Sequence, residues 1–289
     1  MLKKMTSIVL GILLCMISAV ECSEPYVTAH LMGQLGNQMF IIAAATSLAL
    51  DHGVQATFPE LLDEGDEPVF KLPYNYKHLF YRCQTKTPSK EIATIYREPR
   101  FCYDSIPFEP NMMLFGWFQS HKYFAHHRQE ILNLFQPSEK ILTHLQQTYS
   151  EIIQHPESVA IHFRSYLKED PKQLVYPTYD ASYYQAAMQC FSEDALFIVF
   201  SNDMPHCKEM FANLPGNFLF IEGENHFHDL YLMSLCKHQI ICNSSFSWWG
   251  AYLNKNPDKK VIVPPQWFAE TYVRDTSDLI PETWIRLDH

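Results

Sequence analysis

Asn243-Ser244-Ser245-Phe246-Ser247-Trp248-Trp249-Gly250 is the stretch that decides the fold. It follows a short apolar run, Gln239-Ile240-Ile241-Cys242, and precedes a segment that reads as a helix, Trp249-Gly250-Ala251-Tyr252-Leu253-Asn254. A strand, a small polar loop and a helix N-terminus in that order make an anion site. The first turn of a helix has N–H groups with no partner inside the helix, and the positive end of the dipole lies there. Three serines and one asparagine add side-chain donors, and the two tryptophans behind them can lock the loop in place.

Upstream of this loop the pattern repeats. Ser158–Phe163 reads as a strand and 183–191 as a helix. Leu196–Ser201 is a strand and 206–213 a helix; 218–221 is a strand and 229–237 a helix; 260–263 is a strand after the loop. Continuous apolar strands alternating with helices predict a parallel sheet covered on both faces. Ligands of such sheets bind at the carboxyl ends of the strands. The first half is less regular. Residues 26–31 predict a strand, Gly33-Gln34-Leu35-Gly36-Asn37 a turn, 38–50 an apolar helix and 54–58 a second strand. The proline-rich segment 59–110 reads as a loop-rich insertion. Residues 114–118 predict a strand, and 123–135 and 139–154 two helices. The break at His155-Pro156 divides the chain into 24–155 and 156–289, because the residue before proline is biased away from helix.

Composition supports a folded α/β protein. The chain has 289 residues, 47% of them apolar and 14% aromatic, with a net charge of −10. A nucleic-acid binder is more often basic, so that class is set aside. At the N-terminus, Lys3 and Lys4 precede an apolar run from Ile8 to Val20 that is shorter than the ~20 residues of a membrane span. Residues 1–23 read as a signal peptide first and an uncleaved anchor second, with Ala19 or Cys22 before a cleavage site. That reading carries membrane association or the secretory pathway, or an anchor facing the cytoplasm of a bacterium. The six later cysteines form no CxxC pair, which argues against a zinc site. Cys83 and Cys102 flank an irregular segment and are a disulfide candidate if the chain is exported.

Four strand ends carry polar clusters. Alternation sends His162 and Arg164 to one face at the end of the first strand of the second half. Arg164 offers planar, permanently charged donors suited to phosphate; the plain alternative is an ion pair with Glu169 or Asp170. Ser201-Asn202-Asp203 ends the next strand, where Asp203 is either a ligand contact or a helix cap. Glu222 and Asp229 follow the third strand, and Asn243, Ser244, Ser245 and Phe246 the fourth. In the first half, Gly36, Asn37 and Gln38 belong to a turn whose glycines let backbone approach a ligand, or which is simply a turn. Together these predict one pocket for a polar, phosphate-bearing ligand. His226-x-His228 lacks a third metal ligand at a suitable spacing, His126-His127 reads as surface, and no Asp-x-Asp is present. No metal is therefore expected.

The same segments, in order, resemble glycosyltransferase family 11, the α-1,2-fucosyltransferases. Gly33-Gln34-Leu35-Gly36-Asn37-Gln38-Met39-Phe40 is similar to the family's glycine-rich signature, and Gly116–Phe124 to its Gly-Tyr-x-Gln-Ser-x-Lys-Tyr-Phe stretch. Ile161–Arg164 falls where its His-x-Arg-Arg motif belongs, and 200–203 where it has Phe-Ser-Asp-Asp. Asp229–Leu253 is close to the pattern almost throughout. The resemblance spans residues 26–285. It implies a GT-B-like α/β fold, two Rossmann-like parallel-sheet halves with a cleft between them. It implies GDP-fucose as donor, held mainly by the second half, a glycan acceptor on the side of the first half, inversion at the sugar and no obligatory metal. Arg164 would contact the diphosphate, Ser244, Ser245 and Phe246 would surround it, Gly36 and Asn37 would close from the other half, and Asp203 would lie near the nucleoside. His162, Glu169 and Asp170 are the candidates to take the acceptor proton.

One departure stands out. The family motif continues Arg-Arg-Gly-Asp, whereas Ser165-Tyr166-Leu167 follow Arg164 here. Serine cannot replace arginine at a phosphate, and Lys168 is the nearest cation able to compensate. Two alternatives therefore stand beside fucosyl transfer to a galactose 2-hydroxyl. One is transfer from another GDP-sugar or to another hydroxyl, and the other a glycan- or nucleotide-binding homologue without turnover.

Overall fold

The computed structural model describes residues 24–61, 76, 79–167, 169 and 172–287. The leader 1–23, part of the insertion 59–110, and Lys168 and Asp170 lie outside them. Among the described residues no helix is long and apolar enough to cross a membrane.

Two parallel sheets carry the fold. The first has four strands, β1 (Tyr26–Ala29), β2 (Gln55–Ala56), β3 (Thr94–Arg97) and β4 (Met112–Phe115), in the order β2-β1-β4-β3. The second has six, β5 (Ser158–Phe163), β6 (Leu196–Ser201), β7 (Asn217–Phe220), β8 (His238–Ile240), β9 (Val261–Val263) and β10 (Ile285–Arg286). Their order, β10-β9-β8-β5-β6-β7, is the doubly wound arrangement, which starts in the middle and reverses once. The reversal falls between β5 and β8. The crevice that such a reversal opens therefore lies between the ends of those two strands, where Arg164 and the Asn243–Ser245 stretch emerge. The α/β, GT-B-like pairing of two Rossmann-like sheets is what the sequence predicted.

The helices are α1 (Leu35–Asp51), α2 (Arg128–Leu134), α3 (Glu139–Thr148), α4 (Ser150–Gln154), α5 (Ala181–Met188), α6 (Met204–Phe211), α7 (His226–Leu235) and α8 (Ser245–Leu253). Helix α1 is apolar on nearly every face because it is covered on nearly every face, by β1 and β2 on one side and α8 on another. Phe40 of α1 meets Trp248 at 4.4 Å and Trp249 at 5.2 Å between ring centroids, and Phe124 stacks on Trp249 at 5.5 Å. Both tryptophans are fully buried. Each contributes on the order of 5 kcal/mol of gross burial free energy, for roughly 200 Å² at about 25 cal/mol/Å². One apolar core runs from the first sheet through this aromatic cluster into the second.

Several expectations need correction. The helix after the polar loop begins at Ser245, because Ser244 is extended (φ −134°, ψ 125°) and acts as its N-cap residue. Most of the loop is therefore the first turn of α8. The helix predicted over 123–135 opens as two 3-10 turns before α2, and the one over 139–154 breaks at Tyr149 into α3 and α4. The insertion is more than loop. It gives β3, an edge strand with alternate residues exposed, pairing with β4 in parallel from Thr94↔Met112 to Arg97↔Phe115. Strand β10 was not foreseen. Cys83 and Cys102 are free and buried, not bridged, and burial pushes the Cys83 thiol up to about 12.

Candidate active site

The N-termini of α1 and α8, one from each half, touch. A Cβ on Gly36 would lie 2.5 Å from the carbonyl carbon of Ser245 and 2.7 Å from the amide nitrogen of Phe246. Real side chains do not approach backbone so closely, so glycine is what permits the contact. Ser245 then donates its hydroxyl to Asn37 Oδ1 at 2.7 Å, and Gln119 Nε2 donates to the same oxygen at 2.9 Å. The turn before α1 needs Gly33 at φ +70°, and Gln38 holds it by donating to the Gly33 carbonyl at 3.1 Å. Two positive dipole ends thus converge on one spot.

Arg164 follows β5 beside that spot. Its side chain is 17% exposed, its guanidinium sits 5.1 Å over the Tyr166 ring, and Nη2 donates to Glu169 Oε1 at 2.5 Å. Glu169 also accepts from Lys172 at 2.7 Å. The plain alternative, an ion pair with Glu169, is thus the resting state of this arginine. Tyr166 donates to the Asn243 carbonyl at 3.1 Å and ties the Arg164 segment to the α8 loop. Asn202 holds the same segment from β6, accepting from the Ser165 amide at 2.9 Å and donating to the Ser165 carbonyl at 3.0 Å. Ser165 is buried under those bonds.

Other predicted residues fall in different places. His162 lies behind the crevice, 6% exposed, with Nδ1 3.3 Å from Cys242 Sγ and its ring against Phe246 at 5.5 Å. Burial, with Arg164 nearby, lowers it to about 3, so it is neutral and walled off from an acceptor hydroxyl. The expectation that it shares a solvent face with Arg164 as a base is not met. Asn243 uses its side-chain amide to donate to the carbonyls of Pro177 at 3.0 Å and Trp267 at 3.1 Å, a bracing role. Ser201 accepts from the Asp203 amide at 2.9 Å, and Asp203 occupies the N-cap position of α6 without a side-chain cap bond. Glu222 is exposed beyond edge strand β7 and pairs with Lys208. Asp229 does not cap α7; Asn225 does. Asp170 is outside the described residues.

The carboxyl edge of the first sheet faces the same seam. Trp117, 38% exposed, has its ring 3.1 Å from where a Gly33 Cβ would stand. Its amide and that of Phe118 donate to Glu98 at 2.7 and 3.0 Å. His30 stacks on Phe115 at 5.3 Å, the Arg97 guanidinium lies over the Phe115 ring at 4.5 Å, and His30 Nδ1 is 2.9 Å from Glu60. A cavity of about 350 Å³ opens beside Glu60, between β1 and the segment 87–92. Gln119, Trp117 and Tyr166 were absent from the predicted site, and Asn202 was named there only as part of the Ser201–Asp203 cluster. The similarity over Gly116–Phe124 was the available signal for the first two.

A family model described as "Glycosyl transferase family 11" matches residues 9–288. The chain is 30% identical to the O-antigen biosynthesis glycosyltransferase WbnK of Escherichia coli, over 89% of this chain and 99% of that protein. It is 29% identical to an alpha-1,2-colitosyltransferase of Escherichia coli (91% and 99% covered). It is 27% identical to galactoside alpha-(1,2)-fucosyltransferase 2 of Gorilla gorilla gorilla (88% and 80% covered). Among solved structures, NodZ alpha-1,6-fucosyltransferase soaked with GDP-fucose aligns with a TM-score of 0.49 at 13% identity, covering 80% of this chain and 92% of that one.

Proposed function

This chain belongs to glycosyl transferase family 11, and on that premise we propose that it moves L-fucose from GDP-fucose, with inversion and without a metal, to the 2-hydroxyl of a galactose in a glycan. The single observation that carries the reading is the meeting of two helix N-termini at Gly36 and Ser245 beside Arg164. Breaking the sugar–phosphate bond builds negative charge on the departing GDP and positive charge on the sugar ring. Fixed amides, two dipole ends and a guanidinium stabilise the leaving group at the point where that charge develops. Gly36, Asn37, Ser244 and Ser245 hold the diphosphate, and Asp203 and Ser201 lie on the nucleoside side. The exposed face of Trp117 suits a sugar ring, so the acceptor belongs to the first half.

Arg164 spends Nη2 on Glu169, and a diphosphate that takes the guanidinium fork bidentately displaces that carboxylate. Donor binding therefore releases Glu169, which then takes the proton as the acceptor oxygen attacks the sugar carbon and the bond to GDP breaks. Glu169→Gln tests this. GDP binding is expected to hold or tighten severalfold, because a competitor for Arg164 is gone, while kcat falls. Unchanged kcat in that variant removes Glu169 from the base role.

A second donor is favoured by a specific observation, the similarity to an alpha-1,2-colitosyltransferase over nearly the whole chain. Nothing described in the crevice selects between fucose and colitose. Assay of the full chain with each nucleotide sugar against an acceptor array decides between them. GDP binding without turnover on any acceptor would favour the binding homologue that Ser165 suggests. No GDP binding would sink the nucleotide-based readings. Residues 1–23 are proposed to attach or export the chain, which fractionation with and without them tests.

A further inference from the structure

We propose that His144, Glu224 and His228 form a binding site for a divalent transition-metal ion of the zinc type, outside the crevice, that pins α3 to α7. The inference does not depend on which sugar is transferred.

The three side chains come from both halves of the chain. His144 lies on α3. Glu224 precedes α7, and His228 stands in its first turn. Asn225 fixes this corner by accepting from the amides of Phe227 at 2.9 Å and His228 at 3.0 Å. That cap brings Glu224 and His228, four residues apart, into contact. His144 Nε2 then reaches Glu224 Oε1 at 3.0 Å, and His228 Nδ1 bonds the other carboxylate oxygen. Tyr149 donates to Glu224 Oε1 at 3.0 Å and steadies the carboxylate from outside. The imidazole rings stack, 4.5 Å apart at 29°, and each turns a nitrogen to the Glu224 carboxylate.

The ligand atoms all fall within 4.8 Å of one another. A tetrahedral ion with bonds of about 2.0–2.2 Å holds its ligand atoms roughly 3.4 Å apart, close to the 3.0 Å that separates His144 Nε2 from Glu224 Oε1. Two imidazoles and one carboxylate are the donor set of a borderline ion and do not suit a hard one such as magnesium. Charge argues the same way. A second carboxylate lies on the same turn, Asp229, whose Oδ1 is buried without a hydrogen-bond partner. Among the described residues neither carboxylate pairs with Lys or Arg. A cation fills that deficit. His144 is 40% exposed and leaves an entry path. His226 is not involved, since its ring packs on Tyr76 and Phe227. Of the His226-x-His228 pair only His228 takes part, and its companions are Glu224 and His144, 84 residues before His228 in sequence.

A second group, Asp51, His126 and His127, also converges, at the exposed end of α1. It serves as the control. Untagged full-length protein, stripped with chelator, is titrated with Co²⁺ and then competed with Zn²⁺. The expected result is a visible d–d spectrum that Zn²⁺ abolishes, and a rise in Tm with Zn²⁺. His144→Gln keeps an N–H donor to Glu224, so its Tm in chelator should match wild type while Co²⁺ affinity falls at least tenfold. His126→Gln with His127→Gln should change neither. Absence of a cobalt spectrum, absence of a zinc shift, or loss of either in the His126/His127 variant and not in His144→Gln overturns the proposal.

Discussion

The carboxyl edges of the two sheets meet at one seam and are furnished differently. The edge of the second sheet presents Arg164 and the N-terminus of α8, with its histidine, His162, buried neutral behind them. The edge of the first presents Trp117, Phe115 and the His30–Glu60 pair, with only a glycine-rich turn reaching across. One edge supplies fixed positive potential, which suits an anion. The other supplies flat apolar faces rimmed by polar groups, which suits a neutral polyol. On the proposed reading, two copies of a similar architecture would divide donor and acceptor by the residues at their strand ends.

The sharpest way to break that division is Arg164→Ala. Loss of one preorganised donor should lower kcat/KM by about 10²–10³, with circular dichroism unchanged. Near wild-type turnover would remove the charge distinction between the edges. Arg164→Lys should recover only part of the loss, because the planar fork is gone.

Next is the acid behaviour of the second edge. His162 has its folded value depressed to about 3 from an ordinary 6.5. The unfolded chain therefore binds a proton that the folded chain excludes as pH falls from 6.5 toward 3. Stability should drop across that window by up to about 1.4 kcal/mol per pH unit from this residue. Denaturant melts of His162→Gln should lose that part of the slope; an unaltered slope would mean His162 is solvated.

Gly36→Ala tests the seam itself. The new Cβ must push α1 from α8 at a cost of about 1–3 kcal/mol, read as a lower Tm and weaker GDP binding. Unaltered GDP affinity would mean that the two N-termini need not touch. The smallest effect is expected from Trp117→Ala, a rise of about threefold to tenfold in acceptor KM, for the loss of roughly 1 kcal/mol of stacking. Donor affinity should stay constant; a fall in donor affinity alone would reverse the assignment of the edges.

The second sheet was legible because its strands are buried on both faces and read as unbroken apolar runs such as Leu196–Ser201. Its helices fill the intervals at regular spacing. The first half was harder. Thr94–Arg97 alternates half-buried and exposed positions on an edge, among prolines, and four such residues look like loop. At the site, residue type pointed to Arg164 and Ser245, but not to what faces them. His162 passed for a base because alternation gives the face of a strand and not what covers that face. The partnership of Asn37 with Ser245, 208 residues apart, exists only once both halves are folded.

The aromatic seam has a mechanical consequence. Phe40, Phe124, Phe135, Trp248 and Trp249 weld the halves through one dry core, whereas interfaces that hinge freely are small and polar. Wide opening would expose those rings to water. The crevice is thus a slot of fixed gauge, its two walls held at one spacing by the rings that join them.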